Sequence, residues 1–566
     1  MNPRTLTHLV SARALSLLDG GPAPELELSD LGQALVRAAG APGTQGLCFV
    51  ASDGTETSLS YAELLRDASR ILAALRAAGT APGETVLLQI DRAPQLLAAF
   101  WGCLLGGFVP LPVPAHGAAD HELDAPVLLH RVWTGHGRPR VITCAGGRLA
   151  PDTTADLRWP EAHLGEVAVL LRHSPDNTHH RARPDDLAVL LLTSGSTGAP
   201  RAVALSHRNV LSRSAATIAA NGLGRANRSF NWMPLEHVGG LVMFHLRDVI
   251  LGCHQVHART DWIMRDPLRW PAAVDRHRAN TTWAPNFAFA LVNDRAEGLR
   301  GKDWDLSCLR YIMNGGEAVR ASVVRTFLGL LAPYGLPGDA MRPGWGMSET
   351  SSGVVDCDFA ADCAGDERYV PVGRPQPGTA VRIVDDAGRV VRAGTTGHLQ
   401  VSGPAVTRGH YAAGALDGSC LTPDGWLRTG DLAHVRDGVL AVTGRAEDEV
   451  CLGGATYHGH EIEAVVEELA FVEPSYTVAS AVTGPAGREE LAVFFHPRTG
   501  EADAAALAAV RARVRDRLGV DVRHVVAVDR GDVPKTGVGK LRRSQLRSRF
   551  EQAGAAHGAV LGRAAG

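Results

Sequence analysis

From about residue 31 to residue 450 the chain alternates between two periodicities, and this alternation is its strongest constraint on fold. The segment YAELLRDASRILAALRAAG repeats apolar side chains every three to four residues, the stripe of an amphipathic helix. ETVLLQI and DLAVLLLT are apolar runs of strand length. Helices and strands interleaved in this way build α/β layers with substantial sheet. At 566 residues the chain also exceeds what one hydrophobic core serves, so more than one domain is expected. A second unit starts near residue 446, with helix EIEAVVEELA, strands SYTVASAVT and ELAVFFH, and helix DAAALAAVRARVRDRL. The expected division is a leader of weak helical character over 1–30, then a large N-terminal α/β domain of sheets flanked by helices over 31–445. A small α+β C-terminal domain over 446–550 and a frayed, Ala/Gly-rich tail over 551–566 complete it.

Several function classes are excluded early. A net charge of −3 gives no footprint for nucleic acid or for an anionic membrane surface. No apolar run approaches the ~20 residues that cross a bilayer. His8, Arg13 and Asp19 interrupt the N-terminal apolar stretch, so a secretory signal is not expected. The nine cysteines form no C-x-x-C pair, which argues against structural zinc and a disulfide framework and makes a reducing cytoplasm the simplest home. The polar stretch RHSPDNTHHRARPDD, residues 172–186, reads as a surface loop. Lysine is scarce: of 57 basic residues only Lys302, Lys535 and Lys540 are lysines, and two of these fall within PKTGVGK.

The strongest local signal is LLLTSGSTGAPRAVALSHRNV, residues 190–210. An apolar strand runs into Thr193, Ser194, Gly195, Ser196, Thr197 and Gly198. Glycines permit sharp turns, and clustered hydroxyls and backbone N–H groups donate to phosphate oxygens. The P-loop pattern G-x-x-x-x-G-K-[ST] is absent. NGGEAV, WGMSET, WLRTGDL, VTGRAEDEV and PKTGVGK follow in that order. Together the six motifs resemble the adenylate-forming superfamily over roughly residues 30–550: acyl-CoA synthetases, fatty acyl-AMP ligases and peptide-synthetase adenylation domains. WAPNFAFAL, GATYHGHEIEAVVEEL and PKTGVGKLRRSQLRSRF look like the narrower group of acyl-AMP ligases that load polyketide and polyketide–peptide assembly lines.

The resemblance implies a small mobile C-terminal domain and the use of ATP and Mg²⁺. The 193–198 loop would hold the β- and γ-phosphates, with Arg201 following where Lys is usual. Glu349 stands at the family's Mg²⁺ ligand, with Thr197 as its companion; a hard cation suits these oxygens. Trp345, followed by Gly346, takes the position that stacks on adenine, and Gly315, Gly316 and Glu317 match the wall of that pocket. Asp431 matches the carboxylate on the ribose hydroxyls, and Arg445 a neighbouring ribose- and phosphate-facing Arg. Lys540 matches the catalytic lysine that bridges carboxylate and α-phosphate, a compact charge for a localised developing charge. His237 matches a residue that gates the acyl channel near the reacting carboxylate. Trp283, Asn286, Phe287, Met313, Gly344, Met347 and Ser352 are the expected walls of the acid pocket. Lys535 is expected to be structural or superficial.

Peptide-synthetase domains place an Asp about where Val238 stands, to pair with the substrate's α-amino group; an apolar Val argues against an ordinary α-amino acid. The expected activity is therefore activation of a small carboxylic acid as acyl-AMP, followed by transfer to the phosphopantetheine thiol of a carrier protein. No carrier-like segment follows residue 550, so the carrier is expected to act in trans. The short stretch DCDFAADCAGDERYVP, where fatty acyl-AMP ligases carry a longer insertion, keeps free CoA open as acceptor. An amine acceptor is a further alternative. The rival of a different class is a catalytically silent nucleotide- or acyl-binding protein, against which Lys540, Glu349 and Asp431 together argue.

Overall fold

The structure is a computed structural model that describes residues 15–43, 45–115, 125–144, 159–193, 201–363, 368–412, 415–452, 455–483, 489–499, 502–535 and 539–553. The alternating pattern folds as α/β layers. A nine-stranded sheet runs in the spatial order Arg374–Pro375, Ser352–Asp356, Met341–Met347, Tyr311–Gly315, Thr281–Ala284, Arg228–Asn231, His254–Ala258, Gly46–Val50, Glu56–Ser60. Its six inner strands from Met341–Met347 to Gly46–Val50 are parallel, and antiparallel strands close both edges. A four-stranded parallel sheet carries Thr85–Gln89, and a five-stranded antiparallel sheet carries Leu427–Arg436 and Val439–Arg445.

Local chemistry explains the principal helices. Ser60 and Glu63 form a capping box that starts helix Tyr61–Ala77. Its buried Leu64, Ala68, Ile71, Leu72 and Leu75 lie on one face and pack against helix Ala93–Gly106. That second helix is buried nearly all round, and Gly107, in the left-handed conformation, ends it. The two helices and the sheet strand Gly46–Val50 share one apolar core. No helix of the described residues is long and apolar enough to cross a membrane.

The C-terminal unit folds on its own core. Strands Val472–Thr483, Glu489–Pro497 and His524–Ala527 form its sheet, with helices Gly459–Val466, Ala504–Leu518 and Arg543–Ala553 packed around it. The fold is thus a large sheet-rich α/β domain followed by a smaller α+β one. Residues 172–186 are irregular, as their composition predicts.

Residues 1–14 of the expected leader lie outside the described residues, and residues 15–30 contain no helix. Leu17–Asp19, in a stretch with weak helical character, is a strand that pairs antiparallel with Ala380–Val384. Three residues cannot sustain a helix, and an open sheet edge offers their backbone groups partners.

Leu72 is fully buried in the helix pair that backs the N-terminal core. Leu72→Ala should cost about 2–5 kcal/mol of stability, the range for a buried leucine truncation. Urea unfolding followed by tryptophan fluorescence measures it.

Candidate active site

Strands Thr281–Ala284, Tyr311–Gly315 and Met341–Met347 are parallel neighbours, and their C-terminal ends meet a cavity of about 1680 Å³. Ligands of open parallel sheets gather at such strand ends. Every expected site residue that the structure describes lines this one cavity, from Thr193 and Arg201 to Glu349, Asp431 and Lys540. Thr193 and Arg201 face one another across an antiparallel strand pair. Ser194, Gly195, Ser196, Thr197 and Gly198, which lie between them, are outside the described residues.

At one end of the cavity Trp345 and Asp431 are locked together. The indole Nε1 donates to Asp431 Oδ2 at 2.8 Å, and Arg445 Nε lies 2.9 Å from Oδ1. Burial pushes the Asp431 carboxyl up, while Arg445 and Trp345 oppose that. The aromatic plane is therefore fixed by a carboxylate that has hydrogen-bonding capacity left for hydroxyls. A bulge between Trp345 and Gly346 redirects the strand here.

Glu349 follows on the short turn Ser348–Thr350 and is nearly buried. His410 Nε2 lies 2.9 Å from its Oε1. Hydrogen bonds to Cys420 and then to Glu349 hold His410 protonated, up to about 9. Sequence reasoning missed His410, which sits 61 positions from its partner. Glu349 is a hard oxygen donor fit for Mg²⁺; Thr197, its expected companion, lies outside the described residues.

Another part of the cavity wall is built around His237. The Gly239 N–H donates to His237 Nδ1 at 3.1 Å, so the neutral ring carries its proton on Nε2. Burial first, and Lys540 second, press its pKa down to about 3, so the imidazole stays neutral. The ring stacks on Trp283 with centroids 6.5 Å apart. Gly239 is required, because a Cβ there would lie 2.1 Å from the Trp283 ring. It opens an eight-residue π-helix, Gly239–Leu246, preceded by buried Val238.

Met313 threads its methyl against Gly344 and Gly353, filling the space their missing side chains leave. Ser352 is held at φ 98°, a strained conformation for a non-glycine residue. Its hydroxyl and Trp283 Nε1 are buried without a protein partner, so both are available to a ligand.

The C-terminal unit closes the cavity. Gly539, at φ 82°, carries the chain so close to Phe287 that a Cβ would lie 2.4 Å from the ring. Lys540 then reaches over Gly316: a Cβ placed there would lie 3.3 Å from Lys540 Nζ. Glu317 sits beneath, accepting from the Phe287 N–H at 2.6 Å, with Arg320, Lys540 and Lys535 nearby.

Ion pairs hold this pose. Arg320 NH1 meets the nearly buried Glu467 at 2.5 Å, Arg498 meets Asp294 at 2.8 Å, and Arg368 pairs with Glu461. Of the two roles expected for Lys535, structural or superficial, its surroundings favour the structural one: the residue is half-buried. It lies against the face of Tyr476, 3.3 Å from the ring centroid, and burial draws its pKa down to about 7. Tyr476 belongs to the same C-terminal unit, and Phe287 of the N-terminal unit lies farther off, 6.0 Å from Lys535 Nζ.

Comparison with known proteins agrees with this geometry. Residues 36–411 match the family described as AMP-binding enzymes. Aspulvinone E synthetase melA of Aspergillus terreus (strain NIH 2624 / FGSC A1156) is 30% identical over 547 residues, covering 92% of this chain and 58% of that protein. The chain thus spans little more than half the length of this curated relative. The solved adenylation, ketoreductase and pseudo Asub multidomain structure of a keto acid-selecting NRPS module is 34% identical. It has a TM-score of 0.87 and covers 97% of this chain and 48% of that one. The structure of McyG A-PCP complexed with phenylalanyl-adenylate is 32% identical, with a TM-score of 0.86, covering 95% and 85% respectively. A family match over more than half the chain settles its membership: this protein is one of the AMP-binding enzymes, the ligases that form acyl-adenylates.

Proposed function

We propose that this chain adenylates a 2-oxo acid with an aromatic side chain and passes the acyl group to a carrier-protein thiol. The observation that carries the reading is Val238. It is buried beside His237, about where the resemblance puts the amine-binding Asp of peptide-synthetase domains, and its side chain offers an α-ammonium group no counter-charge. A 2-oxo oxygen instead needs a donor, and the neutral His237 supplies one from Nε2. The relatives named as keto acid-selecting and as bound to phenylalanyl-adenylate support an oxo group and an aromatic side chain in turn. Trp283, Phe287 and Met313 offer such a side chain apolar walls.

The chemistry follows from the residues. A carboxylate oxygen attacks the α-phosphorus of ATP, a new P–O bond forms, and the bond to pyrophosphate breaks. Lys540 lies where it can balance the charge shared between carboxylate and phosphate, and neutral His237 adds no repulsion to it. Asp431 and Arg445 would orient the ribose, and Trp345 the adenine. Glu349 would hold Mg²⁺, which supplies positive charge beside the phosphates.

After adenylation the C-terminal unit would swing about the short turn Ala446–Asp448 and withdraw Lys540. The thiol of a carrier then attacks the acyl carbon, and AMP leaves. The A-PCP architecture of a relative supports a carrier over free CoA.

Pyrophosphate exchange across an acid panel tests the substrate. Aryl 2-oxo acids should exceed the matching L-amino acids by at least about tenfold, since an unpaired buried ammonium is costly. Faster exchange with the amino acids would overturn the reading.

The Arg320–Glu467 pair supplies a second test. Arg320→Glu should lower exchange about tenfold or more, and Glu467→Arg in the same chain should restore part of it. Acyl transfer from supplied acyl-adenylate should be spared in both. An unchanged exchange rate in Arg320→Glu would mean that the pair does not hold the adenylating pose.

A further inference from the structure

The far edge of the nine-stranded sheet brings together residues that the sequence scatters. Cys48 on strand Gly46–Val50 pairs with Ser58, and Val50 pairs with Glu56, on the edge strand Glu56–Ser60. Residues two apart share a face, so Cys48 and Glu56 stand on the same side as diagonal neighbours. Helix Arg269–His277 packs on this face through Trp270, Ala273 and Val274, in one apolar cluster with Cys48 and Val50. Its last residue, His277, comes down beside the pair.

One ligand atom from each of Cys48, Glu56 and His277 lies within 4.8 Å of the other two. Cys48 Sγ is 3.8 Å from Glu56 Oε2, and His277 Nε2 is 3.2 Å from Glu56 Oε1. The two contacts reach different oxygens of Glu56, so the carboxylate stands between thiol and imidazole, and modest side-chain rotation would bring one oxygen, the sulfur and the nitrogen to a single ion.

We propose that Cys48, Glu56 and His277 form a zinc site that fastens the edge strand and helix Arg269–His277 to the sheet. A thiolate, an imidazole and a carboxylate select a borderline-soft ion over Mg²⁺ or Ca²⁺. Water completes the tetrahedron. As the zinc–sulfur bond forms, the Cys48 proton passes to solvent.

The surroundings fit a ligand set. Burial lowers the His277 pKa, in favour of the ring form that binds metal, and raises the Cys48 thiol to about 11, so the ion itself must displace the thiol proton. Arg276 pairs with Glu56, and so would orient the carboxylate from behind as outer-shell partners do. Arg228 and His254 are the other ionisable groups facing His277. None of the three ligands lines the catalytic cavity, and two strands separate Cys48 from Thr281–Ala284. The site is therefore independent of adenylation. The three residues come from two strands and a helix, with Glu56 and His277 separated by 221 positions, so no local motif would mark such a site.

The test uses the full chain without an affinity tag, stripped by chelator and then equilibrated with Zn²⁺ or Co²⁺ in excess Mg²⁺. After gel filtration the parent should retain one zinc per chain by plasma mass spectrometry. The cobalt form should show a sulfur-to-metal charge-transfer band in the near ultraviolet. Cys48→Ser and His277→Gln should each lose both signals while keeping exchange activity within about twofold, as expected for changes far from the catalytic cavity. If Cys48→Ser fails to fold, His277→Gln carries the test alone. Zinc no higher than in the buffer, or zinc and a charge-transfer band that survive these substitutions, would overturn the proposal.

Discussion

Lys540 can enter the N-terminal cavity only because the chain just before it passes against the Phe287 ring, and that approach leaves no room for a side chain at residue 539. Much of the site is arranged around this contact. Phe287 is held by its backbone N–H on Glu317, and Glu317 lies next to Gly316, over which Lys540 extends. Arg320, three residues on, reaches Glu467 of the C-terminal unit. One short segment, residues 315–320, thus touches the cavity wall at Phe287, Lys540 and the domain interface.

The electrostatics follow the same plan. A second cation beside Lys540 would weaken its entry, and burial removes that danger by keeping His237 neutral. At the opposite end His410 does the reverse, remaining charged against Glu349. The cavity therefore holds a neutral imidazole beside Lys540 and a positive one beside the carboxylate suited to a cation. Burial and the nearby Lys540 charge act on one ring, and hydrogen bonds to a thiol and a carboxylate act on the other, which produces this contrast.

Legibility in the sequence tracked the range of the interactions. Helix Tyr61–Ala77 and strand Leu187–Thr193 could be read because capping and periodicity are local. Trp345, Asp431 and Lys540 could be picked out because each lies within a compact motif whose neighbours are adjacent in sequence. Arg320 and Glu467 could not, since 147 positions separate them and neither stands in a distinctive string. For Lys535 the sequence leaves a structural and a superficial role open, because its contacts with Tyr476 and Phe287 are distant in sequence. Leu17–Asp19 has too few residues to show a period, and its strand identity belongs to its partner. The Cys48, Glu56 and His277 cluster exists only through sheet register and helix packing.

The central claim is that the C-terminal unit delivers Lys540 for adenylation and not for acyl transfer. Lys540→Ala, assayed in the two half-reactions separately, tests it most directly. Pyrophosphate exchange should fall by ~10²–10⁴, the range for removing one group that stabilises developing charge. Thioester formation from purified acyl-adenylate and a thiol acceptor should stay within about threefold of the parent, because that step makes no use of the lysine. Exchange that stays near the parent rate, or a loss shared equally by both half-reactions, would contradict the account.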